Sequence, residues 1–218
     1  MKRLTEQNKN NSPESYDQVF QERAKSSPHW QDIRRWKELV RYYKGGKIID
    51  MGCLDSEVCS IVHNGFWKEQ NYRYLGTDVA KGAIGEMRKK YPYANSGGVP
   101  LVEFVVDDIY QSQIADNVAD YVVLGEVLEH LSFPEHAIKE SFRTLKPGGV
   151  LAISVPLEEA NEPGAVDGDR HLWSFSKQDI EDLVKPYSSK VKFKVLRSKW
   201  FPRYSYCFPQ LICWTIKK

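Results

Sequence analysis

Short apolar runs alternating with segments of helical spacing constrain this chain more than any other feature. The runs are GKIIDMG (46–52), YRYLGTDV (72–79), LVEFVVDDI (101–109), ADYVVLG (119–125) and GVLAISVP (149–156). They are nearly continuous in apolar residues, as expected of strands covered on both faces. Between them, EVCSIVHNGF (57–66) and KGAIGEMRKKY (81–91) read as helices, the second weakened by Gly82 and Gly85. Ser132-Phe-Pro-Glu135 has the Ser-x-x-Glu capping pattern with proline in the first turn. A strong helix should start there, run to about Leu145 and stop at Lys146-Pro-Gly-Gly149. SKQDIEDLVKPY (176–187) is a further helix, and KVKFKVLRS and FPQLICWTIKK close the chain as a strand pair. The pattern predicts a doubly wound α/β fold, a mostly parallel sheet with helices on both faces and an antiparallel strand at the end of the chain.

Residues 1–15 are polar and read as a flexible tail, and 16–218 as a single domain. From Tyr16 to Tyr43, bulky residues recur at spacings of three and four. They predict two amphipathic helices broken near Ser27-Pro28. The segment 157–176 and this N-terminal helical part (16–45), which is rich in Trp and Tyr, are expected to form a lid. Trp30, Trp36, Trp173, Trp200 and Tyr204 are candidates to stack on an acceptor ring or to pack in the core.

Charge excludes little but guides the choice of partner. With 31 basic and 29 acidic residues, no global field calls for nucleic acid or an anionic membrane. Cys53, Cys59, Cys207 and Cys213 lack metal-type spacing and pairing logic, which favours reduced thiols. The N-terminus is too polar for a signal or anchor, and no run approaches the roughly 20 apolar residues of a membrane span. A soluble, cytoplasmic protein is expected.

In an open parallel sheet, ligands bind beyond the carboxyl ends of the strands, and those ends are acidic here. The first run ends in Asp50-Met-Gly52-Cys53, the second in Asp78-Val79, the third in Asp107-Asp108-Ile109 and the fourth in Gly125-Glu126. A carboxylate at the second end suits the two hydroxyls of a ribose. One at the third suits an exocyclic amine, with the next backbone N–H serving a ring nitrogen. Each acid taken alone could equally cap the following helix. Of the three glycines usual in such a first loop only Gly52 is present, with Leu54 and Ser56 in the other two places.

These stretches, together with GEVLEHLSFPEHAIKESFRTLKPGGVLAISVP and HLWSFS, resemble class I S-adenosylmethionine-dependent methyltransferases over roughly Lys47 to Ile180. The resemblance implies a Rossmann-like, seven-stranded sheet with the last strand antiparallel. It implies that Asp50, Gly52 and Cys53 underlie the methionine part of the cofactor and that Asp78, with Val79, holds the ribose. Asp108, rather than Asp107, meets the adenine amine, because its distance to Asp120 fits the family's spacing; Ile109 follows it. Gly125 and Glu126 line the sulfonium side.

Glu126, Glu129 and His130 fall at i, i+3 and i+4, so one helical turn would aim all three to one side. Glu-x-x-Glu-His resembles a subset of O-methyltransferases, including small-RNA 2′-O-methyltransferases, in which these groups and a downstream histidine bind a divalent cation. His171 sits in the comparable segment here. Two carboxylates and two imidazoles suit Mn²⁺, Fe²⁺, Co²⁺ or Zn²⁺ better than Mg²⁺. The competing reading keeps Glu126 on the cofactor, Glu129 at a helix start and His130 in packing. His130 and His171 are also candidates for the base that an oxygen nucleophile needs. The expected function is methylation of a small-molecule or glycan hydroxyl. The alternatives are metal-dependent RNA 2′-O-methylation and a catalytically silent binding protein on the same scaffold.

Overall fold

The computed structural model describes residues 1–3, 11–23, 30–54, 57–66, 71–92, 95–96, 99–157, 171–197 and 209–218. Ser56, the break at Ser27-Pro28, most of the loop after 157, Trp200, Tyr204 and Cys207 lie outside these residues. The elements run β1 (Lys2–Arg3), α1 (Pro13–Arg23), α2 (Trp30–Leu39), β2 (Gly46–Met51), α3 (Val58–Phe66), β3 (Tyr72–Asp78) and α4 (Lys81–Lys90). The short β4 (Asn95–Ser96) and β5 (Val99–Pro100) precede β6 (Val102–Val106) and β7 (Ala119–Gly125). After a 3₁₀ turn (Leu128–His130) come α5 (Pro134–Thr144), β8 (Leu145–Pro156), β9 (Trp173–Ser174), α6 (Lys177–Val184), β10 (Ser188–Leu196) and β11 (Gln210–Lys217).

Seven strands form one sheet in the order β10-β11-β8-β7-β2-β3-β6. β2 runs parallel to β3 and β7, β3 to β6, and β7 to β8. The last strand, β11, is antiparallel to both of its neighbours, β8 and β10. The apolar runs are continuous because both faces are covered. Ile48 packs with residues of α1 to α4 on one face, and Ile49 with residues of α5 and α6 on the other. Among the described residues, no helix is long and apolar enough to cross a membrane.

Three local expectations are corrected. Ser132 is not the cap of α5: Phe133 is, without a side-chain hydrogen bond, and Pro134 opens the helix. Proline disfavours the helical region for the residue before it, so the cap position moves one residue past the serine. The Phe133 N–H instead donates to the Tyr110 hydroxyl at 3.1 Å. A full capping box does exist at Ser176 and Asp179, ahead of α6. The pairing of β8 starts at Leu145, not Gly149. It shifts register between the Ala119–Leu145 and Tyr121–Val150 pairs, which accommodates Lys146 to Gly149, with Gly148 at φ +77°.

The third correction concerns the N-terminus. α1 begins at Pro13, inside the stretch read as a tail, and the Ser12 hydroxyl accepts the Ser15 N–H at 3.2 Å. Lys2 and Arg3 pair with Ser174 and Trp173. α2 is a core helix: its Trp36 and Leu39 are buried, as is Tyr43 just beyond it. The helix is tied to the sheet by Tyr121, which donates to the Leu39 carbonyl at 2.6 Å, and Trp214, which donates to that of Glu38 at 3.1 Å.

Candidate functional site

The carboxyl ends of β6, β3, β2 and β7 lie side by side, and backbone bonds lace their tips together. Gly52 and Cys53 both donate to the Thr77 carbonyl, at 2.7 and 2.9 Å, and Asp107 donates to that of Asp78 at 3.0 Å. Gly52 turns the chain off β2 at φ +73°, where an added Cβ would stand 2.6 Å from Val127 Cγ2. The one glycine of the loop is thus required twice, by backbone sign and by the approach of the turn after β7. Leu54 takes φ 31° without being glycine and packs its side chain against the core on the α3–α4 face.

Asp78 sits where the sequence placed it and is 8% exposed. Its Oδ2 accepts the Leu54 N–H and its Oδ1 the Ala80 N–H, each at 2.9 Å. Burial raises its pKa; amide bonds from Ala80, Leu54 and Val79 oppose the rise, and the Asp17 charge adds to it. Asp50 is buried and its Oδ2 accepts the Tyr74 hydroxyl at 2.8 Å. Cys53 is buried beside Asp50 and Asp78, and burial first, then those carboxylates, push its thiol well up, so it is no nucleophile. Asp108 is exposed just past β6, its Oδ1 accepting the Tyr110 N–H at 2.9 Å, whereas Asp107 turns to the Gln113 N–H at 3.2 Å. Val79, Ile109 and Gly125 are half-buried at the same strand ends.

The Glu126–Glu129–His130 turn is not the single helical turn expected. Glu126 has φ 56°, in the left-handed region, so the chain reverses before the 3₁₀ turn begins. Its Oε2 accepts from Gln210 Nε2 at 3.0 Å and lies 3.7 Å from Arg35 Nη1. Glu129, His130 and His171 do converge, with ligand atoms all within 4.8 Å of one another; Glu126 is outside that group. Glu129 is 1% exposed, and the His130 and His171 rings meet edge-on at 4.9 Å. The Leu172 N–H, donating to the Glu129 carbonyl at 2.7 Å, brings His171 there.

Sequence reasoning missed two contributors. Asp17 of α1 accepts the Ala83 N–H at 3.0 Å, capping α4 from a distance, and Gly82 leaves it room. Asn11 donates to the His130 carbonyl at 3.0 Å and accepts from the Tyr16 hydroxyl at 3.1 Å. Residues 11–17 therefore touch both the Asp78 and the His130 sides. Arg35 is buried against Gln210 and Glu126. No local sequence pattern marks such long-range pairs.

A family model described as a methyltransferase domain matches residues 49–153. A probable S-adenosylmethionine-dependent methyltransferase of Mycolicibacterium smegmatis is 24% identical over 129 residues, 59% of this chain and 45% of that protein. A ubiquinone/menaquinone biosynthesis C-methyltransferase of Bartonella bacilliformis is 24% identical over 201 residues, 86% of this chain and 75% of its own. The chain spans less than half the length of the first curated relatives it matches, 42–45%. Among solved structures, a Haemonchus contortus phosphoethanolamine N-methyltransferase bound to S-adenosylhomocysteine superposes with TM-score 0.70. The alignment has 14% identity and covers 94% of this chain and 58% of that one.

Proposed function

We propose that this chain is a class I S-adenosylmethionine-dependent methyltransferase, a reading supported by the methyltransferase-domain match over residues 49–153 and by its relatives, and that it methylates an oxygen of a small-molecule or glycan acceptor. Two observations support the reading: the bonds that join Asp78 and Thr77 to the Gly52–Leu54 loop, and the edge-on pairing of His130 with His171. The cofactor's parts fit these residues. Asp78 is a buried, preoriented acceptor for two ribose hydroxyls, and Gly52 leaves close access to backbone where a side chain would clash. Asp108 and the Ile109 N–H take the adenine edge, flanked by Val79. Asp50, Gly52 and Cys53 underlie the methionyl part, with Gly125 and Glu126 at the sulfonium. When bound, the donor supplies a methyl group on sulfonium sulfur, open to in-line displacement.

The chain's own contribution is to position and to move a proton. An acceptor hydroxyl approaching the His130–His171 pair loses its proton to one of the imidazoles as the C–O bond forms and the S–C bond breaks. A second reading adds a cation. Glu129, His130 and His171 give one carboxylate and two imidazoles, a donor set suited to Mn²⁺, Fe²⁺, Co²⁺ or Zn²⁺. Such an ion would lower the acceptor's pKa and grip a diol, including the 3′ end of an RNA. Among the described residues Cys53, Cys59 and Cys213 are buried and free, which supports a reducing setting.

Calorimetry with S-adenosylhomocysteine tests the premise of donor use. Micromolar binding is expected, and no heat at millimolar ligand refutes it. Methylation of hydroxyl acceptors that survives a chelator removes the metal. Turnover ends the silent-scaffold alternative, and unchanged cofactor affinity in Asp78→Ala would favour it.

A further inference from the structure

Asp50 lies in register with Gly76 on β3 and Val123 on β7, in the middle of the sheet and 2% exposed. A carboxylate at that depth needs hydrogen-bond donors, since desolvation otherwise drives it to take up a proton. One comes from Tyr74, two residues before Gly76 on the neighbouring strand and itself fully buried, whose hydroxyl reaches Asp50 Oδ2 at 2.8 Å. The ring is wedged in place: it meets Phe104 at 5.6 Å between centroids, and Phe104 in turn stacks on Tyr91 at 5.8 Å. Gly76 makes the crowding possible, since a Cβ there would stand 2.6 Å from Phe104 Cδ1 and 3.0 Å from Cys53 Sγ.

We propose that Tyr74 is a positioning residue for the amino-acid end of the cofactor: its buried hydroxyl fixes the Asp50 carboxylate, ionised and oriented, as the acceptor for a ligand ammonium group. The inference rests on the cofactor reading above and extends it to a residue outside the strand-end motif. Burial and the Asp50 charge hold the phenol protonated far into alkali, so it acts only as a donor toward Asp50. A donor to the charged form favours that form. Removing it should weaken both effects: the ionised form of Asp50 loses a donor, and its carboxylate loses one of its anchors. Adenosine recognition, at Asp78 and Asp108, should not be affected.

The test compares two probes on wild type, Tyr74→Phe, Asp50→Asn and the double variant. S-adenosylhomocysteine carries the ammonium group; 5′-methylthioadenosine carries the adenosine without it. Tyr74→Phe is expected to weaken S-adenosylhomocysteine about tenfold at pH 7 and to steepen its loss on acidification, with 5′-methylthioadenosine unchanged. In the Asp50→Asn background the Tyr74→Phe change should have no further effect. Equal weakening of both probes, or none, overturns the proposal while leaving the cofactor reading intact. Wild type that binds neither probe overturns both.

Discussion

Gly52 and Asp78 are the residues on which the site's geometry turns. Gly52→Ala must either abandon φ +73° or push Val127 away from a 2.6 Å overlap. It should lower stability by about 1–3 kcal/mol and abolish S-adenosylhomocysteine binding, read by thermal denaturation and calorimetry. Asp78 makes a prediction in pH. Its folded pKa is raised, chiefly by burial, so between the unfolded value near 4 and the folded value the native state holds more protons. Over that window stability falls as pH rises, and above it the contribution is constant. Ribose binding in the proposed site would run the other way, because only the ionised carboxylate accepts from both hydroxyls. Affinity for S-adenosylhomocysteine should therefore fall on acidification with a midpoint above the ordinary 3.8. Asp78→Asn should remove that limb and weaken binding at pH 7 by tenfold or more, about 1.4 kcal/mol. A titration that is flat down to pH 4 in wild type would contradict both statements.

Elements whose identity depends on local pattern were legible in the sequence, and those that depend on distant partners were not. The apolar runs gave β2, β3, β7 and β8 because a strand buried on both faces has no polar face to show, and gave β6, the edge strand, although its residues are a mix of buried and exposed. The acids at their tips were equally visible, since the fold itself puts ligand groups at carboxyl ends. The spacing of Glu126 to His130 misled because it assumes a continuous helix, and the left-handed φ of Glu126 breaks it. The helix of α1 was legible, but its contact with α4 was not. Asp17 is one acid in a polar helix until α4 is packed beneath it, where it accepts the Ala83 N–H. A cap supplied from another element still satisfies a helix N-terminus, so Asp17→Ala should cost about 0.5–2 kcal/mol. Ser176→Ala, which breaks the local capping box of α6, should cost a similar amount. Only Asp17→Ala should also alter S-adenosylhomocysteine affinity, because it removes a negative charge that raises the pKa of Asp78. Equal ligand affinity in the two variants would detach α1 from the site.

At the scale of the molecule, α2, the centre of the sheet and its last strand meet at one polar junction. Arg35 of α2 donates to Gln210 Oε1 at 3.3 Å, and Gln210 of β11 donates to Glu126 Oε2 at 3.0 Å. Arg35 also faces the same Oε2 at 3.7 Å, with side chains 11% and 20% exposed. The antiparallel insertion of β11 between β8 and β10 brings residue 210 to the carboxyl end of β8, against Pro156. A strand added parallel at that place would bring its other end there instead. The junction therefore depends on the reversal of the last strand, and it holds Glu126 in its left-handed turn at the tip of β7. Groups sharing one network lose less when removed together than the sum of their separate losses. Arg35→Met and Glu126→Gln should each cost about 1–3 kcal/mol, because each leaves a largely desolvated partner behind. The double variant should recover about 1 kcal/mol of that sum in urea denaturation. Strict additivity would mean that the two side chains act independently and that α2 and β11 are held to the site by apolar packing alone.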